Sequence, residues 1–335
     1  MKTVLPFFFR TKTIFIDDSI DYLTCLMLNP GFELMLTELF LNPKDALTHI
    51  NLEKDSFSKV GVSENLADTF NHHISTSIGA FKRLIYVSER FKKTSVVVVD
   101  YEMLGMNGLQ VCAAIKDPSI QKILLTGVAN EQVAIDAFNQ GLIQGYIRKN
   151  DKNVINLLIQ AIHDAQYRYF SSLSASMTLK INSEGTIWND PVLVDFFYQH
   201  MTSIGAVEFY LCERERSFLF MDAQGRTSRL YVANSALIDS VCSYARDHGA
   251  SKDLLLALNN REKMLCYPEV EGEIPRPSKW QPYLYPAKRL QGRDLYCYAI
   301  TPGMLRPDEE NRIQSLNGSQ KLENCDRSLD ERFAS

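Results

Sequence analysis

The chain has 335 residues, 45% of them hydrophobic, and a formal net charge of −4 at pH 7. This length exceeds what one hydrophobic core usually covers, so it predicts a globular protein of two domains. The small negative charge argues against a general nucleic-acid-binding or anionic-membrane surface. It does not exclude a local basic face.

The amino-terminal segment is not typical of a signal peptide. In MKTVLPFFFRTK, Pro6 interrupts an apolar run that is too short for a signal h-region. No other apolar run approaches the roughly 20 residues of a membrane span. We therefore expect a cytoplasmic protein with no membrane partner. The seven cysteines are scattered along the chain, and their spacing does not match that of zinc ligands. We therefore expect them to be reduced thiols in the hydrophobic core.

The first half of the chain alternates short apolar runs with longer segments of helical period, the pattern of a parallel α/β sheet. Strands are predicted at 12–17, 94–100, 122–127 and 145–149, with a further candidate at 32–37. The pattern favours a doubly wound, five-stranded sheet, in which the functional crevice lies at the carboxyl ends of the strands.

Capping residues mark two of the helices between and after these strands. Asn130 is the predicted start of one helix, and Gly141 is placed to end it in a left-handed conformation. The segment 151–169 has a continuous apolar stripe and predicts the final helix, with Asn150 or Asp151 as its cap.

Five polar side chains stand at the predicted strand ends: Asp17, Asp18, Asp100, Thr126 and Lys149. Carboxylates converging on one crevice repel each other unless a divalent cation lies among them, and oxygen ligands suit magnesium. A carboxylate can also accept a phosphoryl group when metal, hydroxyl and ammonium groups meet the new charge. The set therefore indicates phosphoryl chemistry.

The segments that carry these residues resemble the receiver domains of two-component response regulators, which have a flavodoxin-like fold. They are IDDS (16–19), VVVVDYEMLGMNGLQV (96–111), LLTG (124–127) and YIRK (146–149). The resemblance implies that Asp18 binds Mg²⁺ directly and Asp17 through water. It further implies that Asp100 accepts the phosphoryl group and that the backbone carbonyl of Glu102 completes the metal site.

The resemblance also implies a switch. Thr126 and Lys149 would bind phosphoryl oxygens, and Tyr146 stands where the family keeps an aromatic ring that turns inward when the threonine moves. The implied partner is a sensor histidine kinase or a histidine phosphotransfer protein. A homodimer formed on phosphorylation is the expected readout.

Departures from the family pattern keep a second hypothesis open, a receiver that retains the fold and no longer takes phosphate. Leu104 and Asn150 stand where the family commonly has prolines. At the two variable positions that flank the phosphate, apolar Val128 should hinder water and Glu102 should repel hydroxide. We therefore expect a phosphoryl lifetime of minutes or longer.

An insertion is predicted at about 51–93, because Asp17 and Asp100 are farther apart than the crossovers of a parallel sheet require. Its apolar spacing predicts one or two amphipathic helices, for which a kinase-docking or dimer surface is a hypothesis. Adjacent His72 and His73 would face different sides of a helix, so a solvated pair is favoured over ligands.

The second domain is predicted to be α+β with an antiparallel sheet. We place the receiver domain at 10–170, a small-polar linker at 171–176, the output domain at 177–305 and a disordered tail at 306–335. Asp190 with Pro191, Asn234 and Ser251 are predicted to start helices, and strands are predicted at 207–213, 217–222 and 228–233, and within 264–267, 283–290 and 294–300.

The output function stays open at this stage. No three-helix segment with a basic recognition helix is apparent, so DNA is not the favoured partner, although basic and aromatic residues interleave in 276–294. Lys288, Arg289 and Arg293 form a candidate anion site for a nucleotide or another small ligand. No catalytic motif is apparent, so the protein is not predicted to be an enzyme beyond self-phosphorylation and self-dephosphorylation. The whole chain weakly resembles the response regulators of α-hydroxyketone quorum-sensing circuits.

Overall fold

The computed structural model describes residues 3–33, 35–53, 84–127, 131–183, 185–212, 217–267, 276–303, 313 and 315–318. The chain divides into two compact units. We call Phe9–Lys59 with Glu89–Ala175 the parallel-sheet unit, and Met1–Phe8, Val60–Ser88 and Ser176–Ser335 the antiparallel-sheet unit. Most of the predicted insertion, with His72 and His73, lies outside the described residues, as do Asn130 and Val128.

Strands and helices are numbered in chain order over the described residues. The strands are β1 (Phe7–Phe8), β2 (Lys12–Ile16), β3 (Leu36–Phe40), β4 (Thr94–Asp100), β5 (Gln121–Thr126), β6 (Gly145–Arg148), β7 (Ala206–Cys212), β8 (Ser217–Asp222), β9 (Thr227–Ala233), β10 (Lys263–Leu265), β11 (Leu284–Pro286), β12 (Lys288–Gln291) and β13 (Leu295–Pro302). The helices are α1 (Ile20–Met27), α2 (Pro43–Leu52), α3 (Gly108–Ala114), α4 (Glu131–Asn139), α5 (Val154–Leu173), α6 (Ala175–Ile181), α7 (Pro191–Ser203), α8 (Ser235–Asp247) and α9 (Lys252–Asn259).

The parallel-sheet unit is a doubly wound sheet with the strand order β3-β2-β4-β5-β6, and its neighbouring strands are parallel. Every residue of the central strand β4 is buried, as expected for a β-branched run that packs on both faces. Its valines alternate: Val97 and Val99 pack toward α2, α3 and α4, whereas Val96 and Val98 pack toward α1 and α5. The predicted flavodoxin-like architecture is confirmed.

Two local predictions in this unit need correction. The strand expected at 32–37 is β3 at Leu36–Phe40, because Asn29 and Pro30 start a 3₁₀ turn in which the Asn29 side chain accepts from the Gly31 N–H at 2.9 Å. The final helix begins after Asn153, whose N–H donates to Asp151 Oδ1 at 2.7 Å, so Asp151 supports the preceding turn and does not cap the helix.

The predicted linker at 171–176 is also mostly helical. Helix α5 continues to Leu173, and α6 begins at Ala175 after a single intervening residue. Ser174 Oγ donates to the Phe170 carbonyl at 2.6 Å, and Phe170 is itself fully buried against Phe9 with ring centroids 4.8 Å apart. Packing of these aromatic rings outweighs the turn-favouring composition of the serines.

The antiparallel-sheet unit has a main sheet with the order β1-β7-β8-β9-β13-β12, beside the two-stranded pair β10-β11. On one face, Phe197 of α7 packs against Phe209, Phe218 and Phe220, with ring centroids 4.8–5.1 Å apart. On the other, Tyr231, Ala233 and Ala299 pack with Leu237 and Ile238 of α8. The predicted α+β class with an antiparallel sheet is confirmed.

Strand β1 is a feature that the sequence analysis did not find. Phe7 and Phe8 pair with Tyr210 and Phe209 of β7, and the rings of Phe8 and Phe209 stack at 5.9 Å. Asn182 fixes the preceding residues, since its side chain accepts from the Val4 N–H at 3.2 Å and donates to the Val4 carbonyl at 2.8 Å. The start of the chain is therefore part of the core of the antiparallel-sheet unit.

Asp190 links the start of α7 to the hairpin of β12 and β13. Its Oδ1 caps the helix by accepting from the Val192 N–H at 3.0 Å, as predicted. Its Oδ2 accepts from the Arg293 N–H at 2.6 Å and from the Tyr296 hydroxyl at 3.0 Å. Burial would raise the pKa of Asp190, but these hydrogen bonds outweigh burial and hold the pKa below its usual value.

Other predicted caps are present, and part of the tail is ordered. Asn234 accepts from Leu237 N–H and Ser251 from Leu254 N–H, as expected for N-caps. In the tail predicted to be disordered, Leu316 is fully buried and the Asn317 N–H donates to the Ala223 carbonyl at 3.0 Å.

Within the ranges given above, none of the helices has the length and apolarity that crossing a membrane would require.

We expect Asp190→Ala to lower the free energy of unfolding of the antiparallel-sheet unit by about 2–4 kcal/mol at pH 7, since it removes a helix cap and leaves the buried Tyr296 hydroxyl unpaired. Because the pKa of Asp190 is depressed in the folded state, its contribution is lost as the pH falls through that pKa, so the difference from wild type should shrink toward acid. Urea unfolding followed by tryptophan fluorescence measures this, since both tryptophans, Trp188 and Trp280, lie in this unit.

The exposed Asp195 on the same helix provides a matched control, and Asp195→Ala should change the unfolding free energy by less than about 0.5 kcal/mol. Equal losses for the two variants would show that Asp190 is not the link described here.

Candidate functional site

Three carboxylates meet at the carboxyl edge of the parallel sheet. Asp17 and Asp18 follow β2, and Asp100 is the last residue of β4. One oxygen from each lies within 4.8 Å of the others, and Asp17 and Asp100 are buried while Asp18 is exposed. Parallel strands end at the same edge, which explains why residues so distant in sequence converge.

Lys149 lies among these carboxylates. It follows β6, and its backbone N–H donates to the Thr126 carbonyl at 3.0 Å, which fixes the residue at the end of the sheet. Its Nζ lies 2.6 Å from Asp17 Oδ2 and 2.9 Å from Asp100 Oδ1. A single ammonium group thus bridges the two buried carboxylates.

This bridge does not fully compensate the negative charge. Burial raises the pKa of Asp100, the nearby Asp17 raises it further, and the ion pair with Lys149 opposes both without cancelling them. The excess of carboxylate charge, with three oxygen donors close together, fits a hard divalent cation such as Mg²⁺. Asp17, Asp18 and Asp100 would hold it, and the resemblance adds the carbonyl of Glu102.

The loop after Asp100 contacts the exposed carboxylate. The Leu104 N–H donates to Asp18 Oδ2 at 3.1 Å, while the Leu104 side chain is 87% exposed. The family commonly has proline here, and proline has no N–H to donate. This departure from the family pattern therefore adds a hydrogen bond to the predicted direct metal ligand.

Gly108 anchors the far end of the same loop. Its N–H donates to the Tyr101 carbonyl at 3.0 Å, and a Cβ at this position would overlap with the Asp100 carbonyl oxygen. Asn107 and Gln110 form a capping box at the start of α3. The close approach of the helix start to the backbone of Asp100 requires glycine at position 108.

The two predicted switch residues lie on neighbouring strands. Thr126 ends β5 and is fully buried, and its hydroxyl donates to the Gly127 carbonyl at 3.0 Å. Tyr146 of β6 pairs with Leu124, so its side chain projects on the same face of the sheet as Thr126. The Tyr146 ring is half-buried and makes an edge contact with Phe138 of α4 at 6.5 Å.

Tyr22 belongs to the site and was missed in the sequence analysis. Lys149 Nζ lies 4.5 Å from the centroid of the Tyr22 ring, a cation–π contact. Its hydroxyl is buried with no hydrogen-bond partner among the described residues, and burial, with Asp17 and Asp100 nearby, raises the pKa of Tyr22 to about 12. Tyr22 is in the first turn of α1, and this closeness to Asp17 and Asp18 along the chain is the signal that would have identified it.

The candidate anion site is not assembled as predicted. Lys288 and Arg289 are adjacent on β12, so their side chains project to opposite faces of the sheet. Arg289 donates to the Asn260 carbonyl at 2.7 Å, and the backbone of Arg293 is bound to Asp190. Trp280, one of the aromatic residues interleaved with basic ones in 276–294, is fully buried, which favours a packing role.

Comparison with known proteins gives one extensive similarity. No protein-family model matches the chain, and no curated protein matches it. Among solved structures, the chain is similar to the Legionella pneumophila response regulator LqsR, at 34% identity over 95% of each chain and a TM-score of 0.77.

Other solved structures match about half of the chain, and two of them serve as examples. An adenylate cyclase from Rhodopirellula baltica has 19% identity over 52% of this chain and 99% of its own, with a TM-score of 0.34. A CheY-like receiver domain protein from Methanospirillum hungatei has 17% identity over 49% and 98%, with a TM-score of 0.33. Neither similarity is high enough to bear on function.

The raised pKa of Asp100 gives a pH-dependent prediction. A carboxyl group whose pKa is raised on folding favours the folded state while it is protonated, and this contribution is lost as the pH rises through the folded pKa. In EDTA, the stability of Asp100→Asn relative to wild type should therefore increase as the pH rises above about 4, the ordinary pKa of an aspartyl carboxyl.

Thermal unfolding followed by circular dichroism measures the difference. Glu33→Gln, at an exposed position outside the α-helices of the same unit, is the control and should follow wild type at each pH. A stability difference for Asp100→Asn that does not grow with pH would contradict the prediction.

The bond between Leu104 and Asp18 gives a second prediction. Leu104→Pro removes the N–H that competes for the Asp18 carboxylate, and a net hydrogen bond of about 1 kcal/mol corresponds to roughly fivefold tighter Mg²⁺ binding. Leu104→Ala keeps the N–H and should bind Mg²⁺ like wild type. Isothermal titration with MgCl₂ compares the three proteins, and weaker or unchanged binding by Leu104→Pro would refute this role for the bond.

Proposed function

This chain belongs to the response-regulator family that includes LqsR of Legionella pneumophila, and from that premise we propose that it is a phosphorylation-controlled switch with Asp100 as its phosphoacceptor. The observation that carries the proposal is the convergence of Asp17, Asp18 and Asp100 with Lys149 at the carboxyl edge of the parallel sheet. Each group has a role in phosphoryl transfer.

In the proposed transfer, an Asp100 carboxylate oxygen attacks the phosphorus of a phosphohistidine on a sensor histidine kinase or a histidine phosphotransfer protein. A bond forms from this oxygen to phosphorus, the phosphorus–nitrogen bond breaks, and the imidazole leaves with the electron pair and takes up a proton. When bound, Mg²⁺ supplies positive charge to the phosphoryl oxygens. The products are an aspartyl phosphate and a neutral histidine.

Lys149 and Thr126 then bind the new phosphoryl group. The Lys149 ammonium already contacts Asp100, so a small movement of a flexible side chain brings it to a phosphoryl oxygen. Thr126 must give up its bond to the Gly127 carbonyl to donate to the phosphoryl oxygen. That exchange couples phosphorylation to a change of conformation at the end of β5.

The readout that we propose is dimerisation through α4, β6 and α5. Tyr146 lies on the same sheet face as Thr126 and contacts Phe138, which is 48% exposed on α4. Val133 and Leu157 are also exposed apolar residues of α4 and α5. A movement of Tyr146 would thus change the packing of an apolar surface that a second copy of the chain can cover.

The signalling context is part of the same proposal. The whole-chain resemblance to regulators of α-hydroxyketone quorum-sensing circuits supports such a circuit as the source of the phosphoryl group. DNA is not the favoured partner, because no basic recognition helix is apparent and Trp280, one of the aromatic residues interleaved with basic ones in 276–294, is buried in the core.

The test is phosphorylation with acetyl phosphate and MgCl₂, followed by intact mass and light scattering after gel filtration. We expect wild type to gain one phosphoryl group, retain it for minutes and form a dimer. Asp100→Asn should do neither, and Thr126→Ala should gain the phosphoryl group but dimerise less, because the switch contact is lost.

Asp45→Asn is the matched control, an exposed aspartate of the same unit that should behave as wild type. Absence of a phosphoryl group on wild type, from acetyl phosphate and from a phosphorylated kinase domain alike, would favour a receiver that keeps the fold without the chemistry.

A further inference from the structure

The antiparallel-sheet unit contains a cavity of about 80 Å³ that the phosphoryl chemistry does not use. It lies between the sheet strands β9 and β13, helix α8, the end of α9 and strand β10. Its apolar walls include Leu237, Ile238, Val241, Leu258, Met264 and Cys297. Leu258 and Cys297 are only 2% and 1% exposed, so the floor of the cavity is the core of the unit.

The charged side chains that line this cavity are cationic. They are Arg261 and Lys263, and no carboxylate is among its described lining residues. Tyr267 adds a hydroxyl group. An apolar cavity with a few converging polar groups is the usual form of a small-molecule site, and the sign of the charge here selects an anionic group.

Arg261 is held at the cavity in an unfavourable backbone conformation. Its φ is 55°, and within the described ranges it is the one residue other than glycine with a left-handed backbone conformation. Glycine adopts this conformation without strain at the end of a helix, and arginine does not. Backbone strain of this kind is concentrated at functional sites, so its presence at a cavity wall indicates a functional role for the Arg261 side chain.

A hydrogen bond to Ser235 orients the guanidinium of Arg261. Among the described residues, no carboxylate contacts this guanidinium directly. The guanidinium donates to Ser235 Oγ at 3.0 Å, and Ser235 in turn donates to Asp294 through its N–H at 3.1 Å and its hydroxyl at 3.0 Å. These bonds, a backbone bond from Leu295 and the nearby charge of Arg261 outweigh burial and hold the pKa of Asp294 below its usual value, so Asp294 is an electrostatic neighbour of Arg261. Arg261 has five N–H donors, of which the bond to Ser235 uses one.

A second guanidinium strengthens the positive field at this end of the cavity. Arg289 donates to the carbonyl of Asn260, the residue before Arg261, at 2.7 Å. Burial raises the pKa of the Cys297 thiol, Arg261 and Arg289 act in the opposite direction, and the carboxylate of Asp294 adds a smaller rise. Both cations are therefore close to the cavity wall that Cys297 forms.

We propose that this cavity binds a small monocarboxylate with an apolar chain, the carboxylate on Arg261 and the chain against the floor formed by Leu258 and Cys297. The cavity volume of about 80 Å³ is several times the roughly 10–15 Å³ that holds one water molecule, so a short apolar chain fits, and hexanoate is the probe that we choose. The site involves neither Asp100 nor Lys149 and is independent of the proposed phosphoryl transfer.

The experiment titrates the full chain with sodium hexanoate and, separately, with 1-hexanol, by isothermal calorimetry. Wild type should bind hexanoate at least about tenfold more tightly than hexanol, because a charge-assisted bond to arginine is lost in the alcohol. Arg261→Asn, which tolerates the left-handed backbone, should remove this preference. Val241→Phe, which fills the cavity, should weaken both ligands about tenfold or more.

Two controls separate the proposal from other causes. Lys252→Gln removes an exposed cation of α9 outside the cavity and should leave both affinities unchanged. Asp100→Asn should also bind hexanoate like wild type, which distinguishes this site from the phosphoacceptor. Tryptophan fluorescence confirms that each variant is folded.

Four results would overturn the proposal. Two concern wild type: absence of hexanoate binding, and equal affinity for hexanoate and hexanol. The other two concern folded variants: an unchanged preference for hexanoate in Arg261→Asn, and unchanged hexanoate binding by Val241→Phe.

Discussion

The parallel-sheet unit depends on one electrostatic constraint, the convergence of three carboxylates with a single ammonium group. Lys149 bridges Asp17 and Asp100 at 2.6 and 2.9 Å, and it lies over the ring of Tyr22. Breaking a buried ion pair is costly because it leaves an uncompensated charge, so these groups hold the ends of β2, β4 and β6 together. The same excess of negative charge favours binding of a divalent cation, and in the proposed function that cation would offset the charge of an incoming phosphoryl group.

What could be predicted from the sequence follows from the regularity of parallel sheets. Strands such as TSVVVVD are recognisable, and the carboxyl ends of parallel strands must lie at one edge, so the sequence alone predicts that Asp17, Asp100 and Lys149 lie together. The roles of Thr126 and Tyr146 came from the family resemblance. Their relative position, on one face of adjacent strands, agrees with those roles.

What could not be predicted depends on loop conformation and on long-range packing. The bond from Leu104 to Asp18 requires a particular fold of an exposed loop, and no periodicity in the sequence encodes it. The linker serines are helical because Phe170 packs against Phe9, a contact between residues far apart in the chain. Lys288 and Arg289 looked like one basic group, but the pleat of β12 separates them, and the cationic cavity is formed by Arg261 instead.

The pairing of β1 with β7 has a consequence for how the chain is made and divided. About two hundred residues separate Phe8 from Phe209, so β1 leaves the ribosome long before its partner, and the parallel-sheet unit can fold in between. During that interval an apolar strand has no partner and can pair with other chains. A fragment that starts at residue 176 would likewise lack β1 and expose the edge of β7. The antiparallel-sheet unit therefore cannot be produced as one continuous piece, and truncations meant to isolate it should carry residues 3–8 at a permuted position.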